Sequence, residues 1–301
     1  MKYTVLTLFP EITDAFFANS IMAKAIKRGI IEYQAINIRD FAYDKHKTCD
    51  DAPYGGGPGM LMLPEPLGKA LQAVLGEEFS QRRNIPLECR GAEVAERIKE
   101  EESVLSSTLS SLSDPRVSAS PREVFGNKPR VIYLSPSGKP FNQQLAKELA
   151  AEKELILICG RYEGIDQRII DMYVDDEISI GDYVLSSGEV AALAVIDATY
   201  RLVDNVICAD SLDEESFSSG LLEYPQFTRP EIFDTIKVPE VLLSGHHEQI
   251  RLWRLEERVK KTLLKRPDLI QRGRDLSPEG DMVFNKEINS IIDRLTKEQS
   301  D

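Results

Sequence analysis

The chain has 301 residues, 42% of them hydrophobic and 29% charged, enough for a sizeable core and about two ordinary domains. A net charge of −13 argues mildly against a nucleic-acid partner, and no run of about 18 apolar residues offers a membrane span. Cys49, Cys89, Cys159 and Cys208 form no CxxC pair and have no histidine at zinc-finger spacing. They read as free thiols in a reducing cytoplasm, and the opening MKYTVLTLFPEITD is too briefly apolar for a signal peptide.

In chain order, YTVLTLF is a predicted strand stopped by Pro10. TDAFFANSIMAKAIKRG follows as one predicted helix, with a cap at Thr13 or Asp14, apolar Phe17, Ile21 and Ala25, and a terminal Gly29. IIEYQAINI is a second strand. Residues 50–62, DDAPYGGGPGMLM, hold four glycines and two prolines. From 76 to about 129 lies a charged, then Ser-rich insertion, partly helical by pattern and partly disordered by composition. After it RVIYLSP is a strand, NQQLAKELAAEK a helix and ELILICG a buried strand. A short helix around 165–172 leads to EISIGD, and GEVAALAVIDATYRLV is a mostly apolar helix. This alternation predicts an α/β domain over 1–203 with a parallel sheet and helices on both faces. An acidic, Ser-rich linker (204–220) precedes a small all-α C-terminal domain (221–301).

The glycine-rich stretch fails the usual phosphate-loop tests. Gly59 is followed by Met60 and Leu61, not by the Lys-Ser/Thr of a Walker loop, and a dinucleotide fingerprint begun at Gly55 would need glycine at position 60. A phosphate-loop hydrolase therefore rests on glycines alone, and by itself the stretch reads equally as a rigid turn or part of a site. Three other turns follow predicted strands: YLSPSG (133–138), CGRYEGID with Gly160 and Gly164, and SIGDYVLSSGE with Gly181 and Gly188. Open α/β sheets bind ligands at the carboxyl ends of strands, so together these turns favour a site. Charge is uneven: nine Lys/Arg face three Asp/Glu over 251–274, whereas 204–215 holds five acids and no base. The basic run is either a solvated helix face or an RNA-binding island.

The motifs TLFP, DDAPYGGGPGM, YLSPSG, LICGRYEGID, SIGDYVLSSGE, ESFSSGLLEYPQFTRP and LLSGHHEQIRLWR, in this order, closely resemble the bacterial tRNA (guanine-N1)-methyltransferases of the trefoil-knot (SPOUT) class. The resemblance covers 1 to about 75 and about 130 to 270. It implies a deep C-terminal trefoil knot, which topology rules would otherwise exclude. It also implies an S-adenosylmethionine-dependent enzyme that methylates N1 of the guanosine immediately 3′ of the anticodon. Such an enzyme is a homodimer with active sites at the subunit interface. The C-terminal domain then binds tRNA through its anticodon stem-loop.

The cofactor residues it implies are Tyr133, Leu134, Ser135 and Pro136; Gly160, Tyr162 and Glu163; and Ile180, Gly181, Tyr183, Leu185 and Gly188. Glycine turns offer backbone to an adenine edge, and Glu163 suits the cofactor's ammonium. Ser187 stands where the family commonly has glycine, and Ala191 where it has proline. Removing the guanine N1 proton needs a base, and the charge that builds on O6 needs a cation. Arg201 matches the family's arginine, and Glu215 occupies the position of its catalytic aspartate, with Glu214 or Asp213 as register-shifted alternatives. RNA contacts are implied for Lys45, His46, Lys47, Asp50, Gly59, Arg251 and Arg254, with His246 and Trp253 beside them; Trp253 is core anchor or stacking platform alike. By helical spacing Arg251, Arg254 and Arg258 share a face suited to phosphates. The family is associated with Mg²⁺, whose ligands the sequence does not identify. A non-catalytic tRNA-binding protein that keeps the cofactor pocket is the alternative.

Overall fold

The computed structural model describes residues 1–76, 128–207, 215–217, 219–275 and 284–298. Most of the predicted insertion, Cys89, Cys208, Asp213 and Glu214 lie outside the described residues. The chain divides into two compact units, Met1–Val206 and Ile207–Asp301.

The first unit holds a five-stranded parallel sheet in the order β2-β1-β6-β5-β7. These strands are β1 (Lys2–Thr7), β2 (Glu32–Asn37), β5 (Arg130–Pro140), β6 (Glu154–Ile158) and β7 (Asp176–Ser179). Side chains alternate across each strand, so both faces need cover. Tyr3, Val5, Leu155 and Leu157 enter one core with helices α1 (Pro10–Phe17), α2 (Ser20–Lys27), α4 (Gln143–Ala150) and α6 (Gly188–Tyr200). Leu6, Ile156 and Ile158 enter the other with α3 (Pro64–Leu75) and α5 (Gln167–Tyr173).

The single helix expected after β1 is two helices. Pro10 does not merely stop the strand; its fixed φ suits it to open α1. The break comes at Ser20, whose φ of 61° is left-handed and incompatible with an unbroken helix.

Two irregularities shape the carboxyl edge of the sheet. Strand β5 leaves β7 after Leu134 and rejoins it at Lys139, and both residues face Ile178. Gly138 permits this, because a Cβ there would lie 2.4 Å from the Ile178 backbone nitrogen. The chain then returns from β7, at the sheet edge, across β5 to the end of β6. There the first residue of α6, Gly188, donates its amide to the Gly160 carbonyl at 2.8 Å. This return of the chain fits the knotted α/β fold that the resemblance implies.

In the second unit the predicted helices appear as α8 (His247–Lys265), α9 (Pro267–Asp275) and α10 (Lys286–Glu298), with a one-turn α7 (Glu240–Leu243) before them. Pro267 divides α8 from α9. Leu221, Val259, Ile270, Phe284, Ile288, Ile292 and Leu295 form its core. A small hairpin of β8 (Ile232–Phe233) and β9 (Ile236–Lys237) adds to the otherwise helical unit.

Candidate active site

Strands β6, β5 and β7 are neighbours, so the three turns singled out in the sequence meet at one edge of the sheet. Tyr133 and Leu134 are buried, with the Tyr133 ring beneath Gly160 and its hydroxyl bonded to the Ile165 backbone. Burial, above all, raises the Tyr133 phenol, against the opposing pull of the Ile165 backbone group, whose hydrogen bond the phenol oxygen accepts. Ser135 is half-buried with its hydroxyl 2.7 Å from that of Ser137, and Pro136 is exposed. The Tyr183 ring lies over Gly181, whose φ of 149° and close ring both disfavour a side chain. Tyr183, Leu185, Tyr162 and Glu163 are exposed and Ile180 is half-buried. The result is a strand-end crevice that presents glycine backbone, the apolar side chains of Ile180 and Leu185 and the Glu163 carboxylate, a donor set that fits an amino-acid-bearing nucleoside.

The glycine-rich stretch closes one side of this crevice. It is the loop of a minimal hairpin, β3 (Asp50–Asp51) against β4 (Leu61–Met62). Gly55, Gly56, Gly57 and Gly59 all have positive φ. The loop's far end is bonded to the turn after β6: Glu163 donates its amide to the Met60 carbonyl at 3.0 Å, and Met62 to the Gly164 carbonyl at 3.0 Å. A Cβ at Gly59 would lie 2.4 Å from Glu163 Cγ. The stretch is therefore both a tight turn and a wall of the crevice.

Two polar groupings that sequence reasoning missed stiffen the same turn. Asp50 and Arg39 both act on the Tyr162 phenol from beside it. Burial, and then the Asp50 carboxylate, push that phenol upward against the opposing pull of Arg39. Beneath them Glu189 is fully buried in the first turn of α6. Its Oε1 accepts from Thr7 Oγ1 at 2.6 Å, and its Oε2 lies 3.6 Å from Arg161 Nε. The Arg161 guanidinium also stacks on the Phe9 ring at 4.4 Å. Arg161 and Glu189 stand inside the motifs GRYEG and SSGEV, but charged residues beside glycines look like ordinary exposed turns.

Of the two candidate catalytic residues, Arg201 lies elsewhere in the first unit. Helix α6 runs antiparallel to the strands: its start meets Thr7 at the top of β1, and Thr199 bonds the Tyr3 hydroxyl, near the bottom, at 2.9 Å. Arg201 caps the far end, about 20 Å from Gly188 by helical rise. One chain thus does not bring Arg201 to its own crevice. Glu215 is half-buried and belongs to the second unit.

The RNA-contact candidates divide. Lys45, His46 and Lys47 are exposed in a turn braced by Asp44, which accepts from the His46 and Thr48 amides, while Lys47 pairs with Asp40 at 2.7 Å. In α8 the expected phosphate face is not formed as predicted. Arg258 is buried, giving its guanidinium to the Leu222 carbonyl and to Ser219 Oγ, because helical spacing turns that position toward the unit's own core. Arg251 is exposed but pairs with Glu248 and Glu287, each at 2.8 Å. Arg254 stacks on Tyr224 at 4.8 Å, and Trp253 is half-buried near Phe227.

Comparison with known proteins accords with this geometry. The family pattern described as tRNA (Guanine-1)-methyltransferase TrmD matches residues 1–107 and 112–272, so it runs through much of the segment expected to be an insertion. A tRNA (guanine-N(1)-)-methyltransferase of Treponema denticola is 51% identical over 298 residues, covering 99% of this chain and all of that protein. Its namesake in Treponema pallidum is 48% identical, covering 99% of this chain and 97% of that protein. That of Borreliella burgdorferi is 48% identical over 288 residues, covering 95% and 99%. The chain belongs to the tRNA (guanine-1)-methyltransferase family.

Proposed function

We propose that this chain methylates N1 of the guanosine immediately 3′ of the anticodon in tRNA, with S-adenosylmethionine as donor, in the crevice at the carboxyl ends of β5, β6 and β7. The observation that carries the reading is the union of the glycine stretch with the turn after β6 through Gly59, Met60 and Glu163, in a chain of this family. When bound, the cofactor supplies an electrophilic methyl on a sulfonium sulfur. The residues to hold it are those of the three turns, with Glu163 for its ammonium and Ile180, Tyr183 and Leu185 for the adenine. Asp50 and Gly59 face the guanine, and Lys45, His46, Lys47, Arg251 and Arg254 serve the RNA.

Glu215 accepts the N1 proton and Arg201 steadies the charge on O6. The separation of Arg201 from its own crevice supports two copies of the chain sharing each site, a homodimer in which Arg201 serves its partner. The location proposed is the cytoplasm; among the described residues no helix is long and apolar enough to cross a membrane. Among the described residues no group of three or more His, Cys, Asp or Glu is placed to hold a metal ion.

The test is transfer of a labelled methyl to a tRNA transcript carrying that guanosine. Wild type should be active, and Glu215→Ala should lose turnover while keeping cofactor affinity. Glu215→Asp, one methylene shorter, should remain active. Activity surviving in Glu215→Ala would move the base elsewhere; an inactive wild type at ample cofactor would favour a binding-only protein.

A further inference from the structure

We propose that Glu189 is a positioning residue for methyl transfer, acting through Arg161 on the turn 160–164; the inference rests on the active site assigned above. Glu189 is fully buried, with one oxygen held by Thr7 at 2.6 Å. The other oxygen faces Arg161 Nε at 3.6 Å, and neither of these two buried atoms has a hydrogen-bond partner. Burying such a pair is costly, and apolar residues of similar volume commonly hold a fold as well or better. Its place points to a role beyond stability. Thr7 ends β1, Glu189 opens α6 and Arg161 begins the turn after β6, so the pair joins three elements that frame the crevice. The amino terminus of α6, a helix of 13 residues, favours the negative charge there.

Arg161 precedes Tyr162, a non-glycine residue at a φ of 58°. Such a conformation persists only where its surroundings enforce it. The Arg161 guanidinium is gripped between the Phe9 ring and the Glu189 carboxylate. From that fixed point the chain sends the Tyr162 phenol to Asp50 on the guanine wall and Glu163 against Gly59. Losing the carboxylate leaves Arg161 held by the ring alone and frees the turn to leave its strained conformation. Glu189 itself touches no reacting atom.

The experiment measures labelled S-adenosylmethionine binding by equilibrium dialysis, and steady-state methylation of a tRNA transcript, on the full-length protein. Glu189→Gln should raise the cofactor Kd and KM about tenfold while kcat changes less, since the geometry of the turn and not the chemistry is disturbed. Glu189→Asp should recover part of the loss. In an Arg161→Met background the Glu189→Gln change should cost under about threefold, because coupled residues are not additive. A merely structural role would lower the melting temperature and leave cofactor KM in place, overturning the proposal. Equal losses from Glu189→Gln in both backgrounds would overturn it too. Should Glu189→Gln fail to fold, Thr7→Val keeps the charge but removes its anchor; a severalfold rise in cofactor Kd is expected, and an unchanged Kd overturns the inference. A wild type that binds cofactor yet methylates no tRNA would instead overturn the assigned reaction, leaving the binding comparison to decide on Glu189.

Discussion

The glycine-rich stretch and helix α8 differ in what composition says of them. By itself the stretch reads equally as a turn or part of a site, and Met60 and Met62 prove to be hydrogen-bonded into the turn after β6, with Gly59 against Glu163. Helix α8 is rich in cations, yet two of them meet acids of the same unit and a third is buried. Lys260 reaches Glu256 and Glu257, Arg251 reaches Glu248 and Glu287, and Arg258 is buried. Net charge along a sequence counts cations without counting their partners. Glycine content marks where backbone comes close without saying to what.

The sharpest way to break this contrast lies in the stretch itself. Gly57 and Gly59 both have positive φ, but a Cβ at Gly57 meets nothing within 4 Å, whereas one at Gly59 collides with Glu163. Both alanine variants incur the left-handed penalty of about 1–2 kcal/mol. Only Gly59→Ala should also push Glu163 aside, lowering kcat/KM for the cofactor by about a hundredfold. Gly57→Ala should stay within about tenfold of wild type, the range its backbone strain alone allows. Equal losses in the two kinetic profiles would mean that the stretch acts as a turn and not as a wall.

The next effect belongs to α8 and falls on stability. Arg258→Met strips the half-buried Leu222 carbonyl and Ser219 hydroxyl of this donor, and losing such a bond costs about 1–3 kcal/mol. Chemical denaturation should register that loss in the second unit. A wild-type unfolding curve combined with weakened tRNA binding would return Arg258 to the RNA face.

Much of the frame is legible in the residues alone. Pro10, Pro267 and the glycine turns punctuate segments whose apolar runs are long enough to name as strands or helices, and the parallel sheet follows from their alternation. The three strand-end turns are legible as one site because adjacent parallel strands deliver their carboxyl ends to one edge. The Glu189–Arg161 pair is not, because its partners are joined by the return of the chain from β7, a path that no periodicity encodes. The direction of Arg258 is hidden for a different reason. Helical spacing groups Arg251, Arg254 and Arg258 on one side, but whether a position meets solvent depends on what packs there, and here residues 219–222 do. The distance between Arg201 and the crevice is hidden likewise: the motif fixes its place on α6, and only the antiparallel course of α6 puts it at the opposite end.

A smaller effect should appear at the start of β7. Asp176 receives Arg130 at 2.6 Å and Lys139 at 2.5 Å, from either side of the β5 excursion. Burial alone would raise its carboxyl, but these two cations outweigh burial and hold it below the usual range. A carboxylate with a depressed folded pKa contributes stability that is complete above its unfolded pKa, near 4, and is lost as pH falls through the folded value. Wild type should therefore exceed Asp176→Asn in thermal stability at neutral pH, with the gap narrowing below about pH 4. A gap that stays constant on acidification would mean that shape, not charge, makes Asp176 useful.

The smallest effect is expected at Arg251, where the two regions differ most directly in what their charges do. Its guanidinium pairs with Glu248 and Glu287, and hydrogen bonds to those two acids raise its already high pKa further. The pairs are exposed, and solvent and salt screen exposed ion pairs to little net worth. Arg251→Ala should therefore barely move stability. For tRNA, a side chain that binds a phosphate in place of its acids would reduce the slope of log affinity against log salt by about one. An arginine that keeps its acidic partners in the complex would leave the slope unchanged. Titrating tRNA binding across salt for wild type and Arg251→Ala separates these outcomes, and the RNA role proposed for Arg251 predicts the reduced slope. A slope reduced by about one would show that RNA displaces both carboxylates, and the basic composition of α8 would then regain the meaning its sequence first implied.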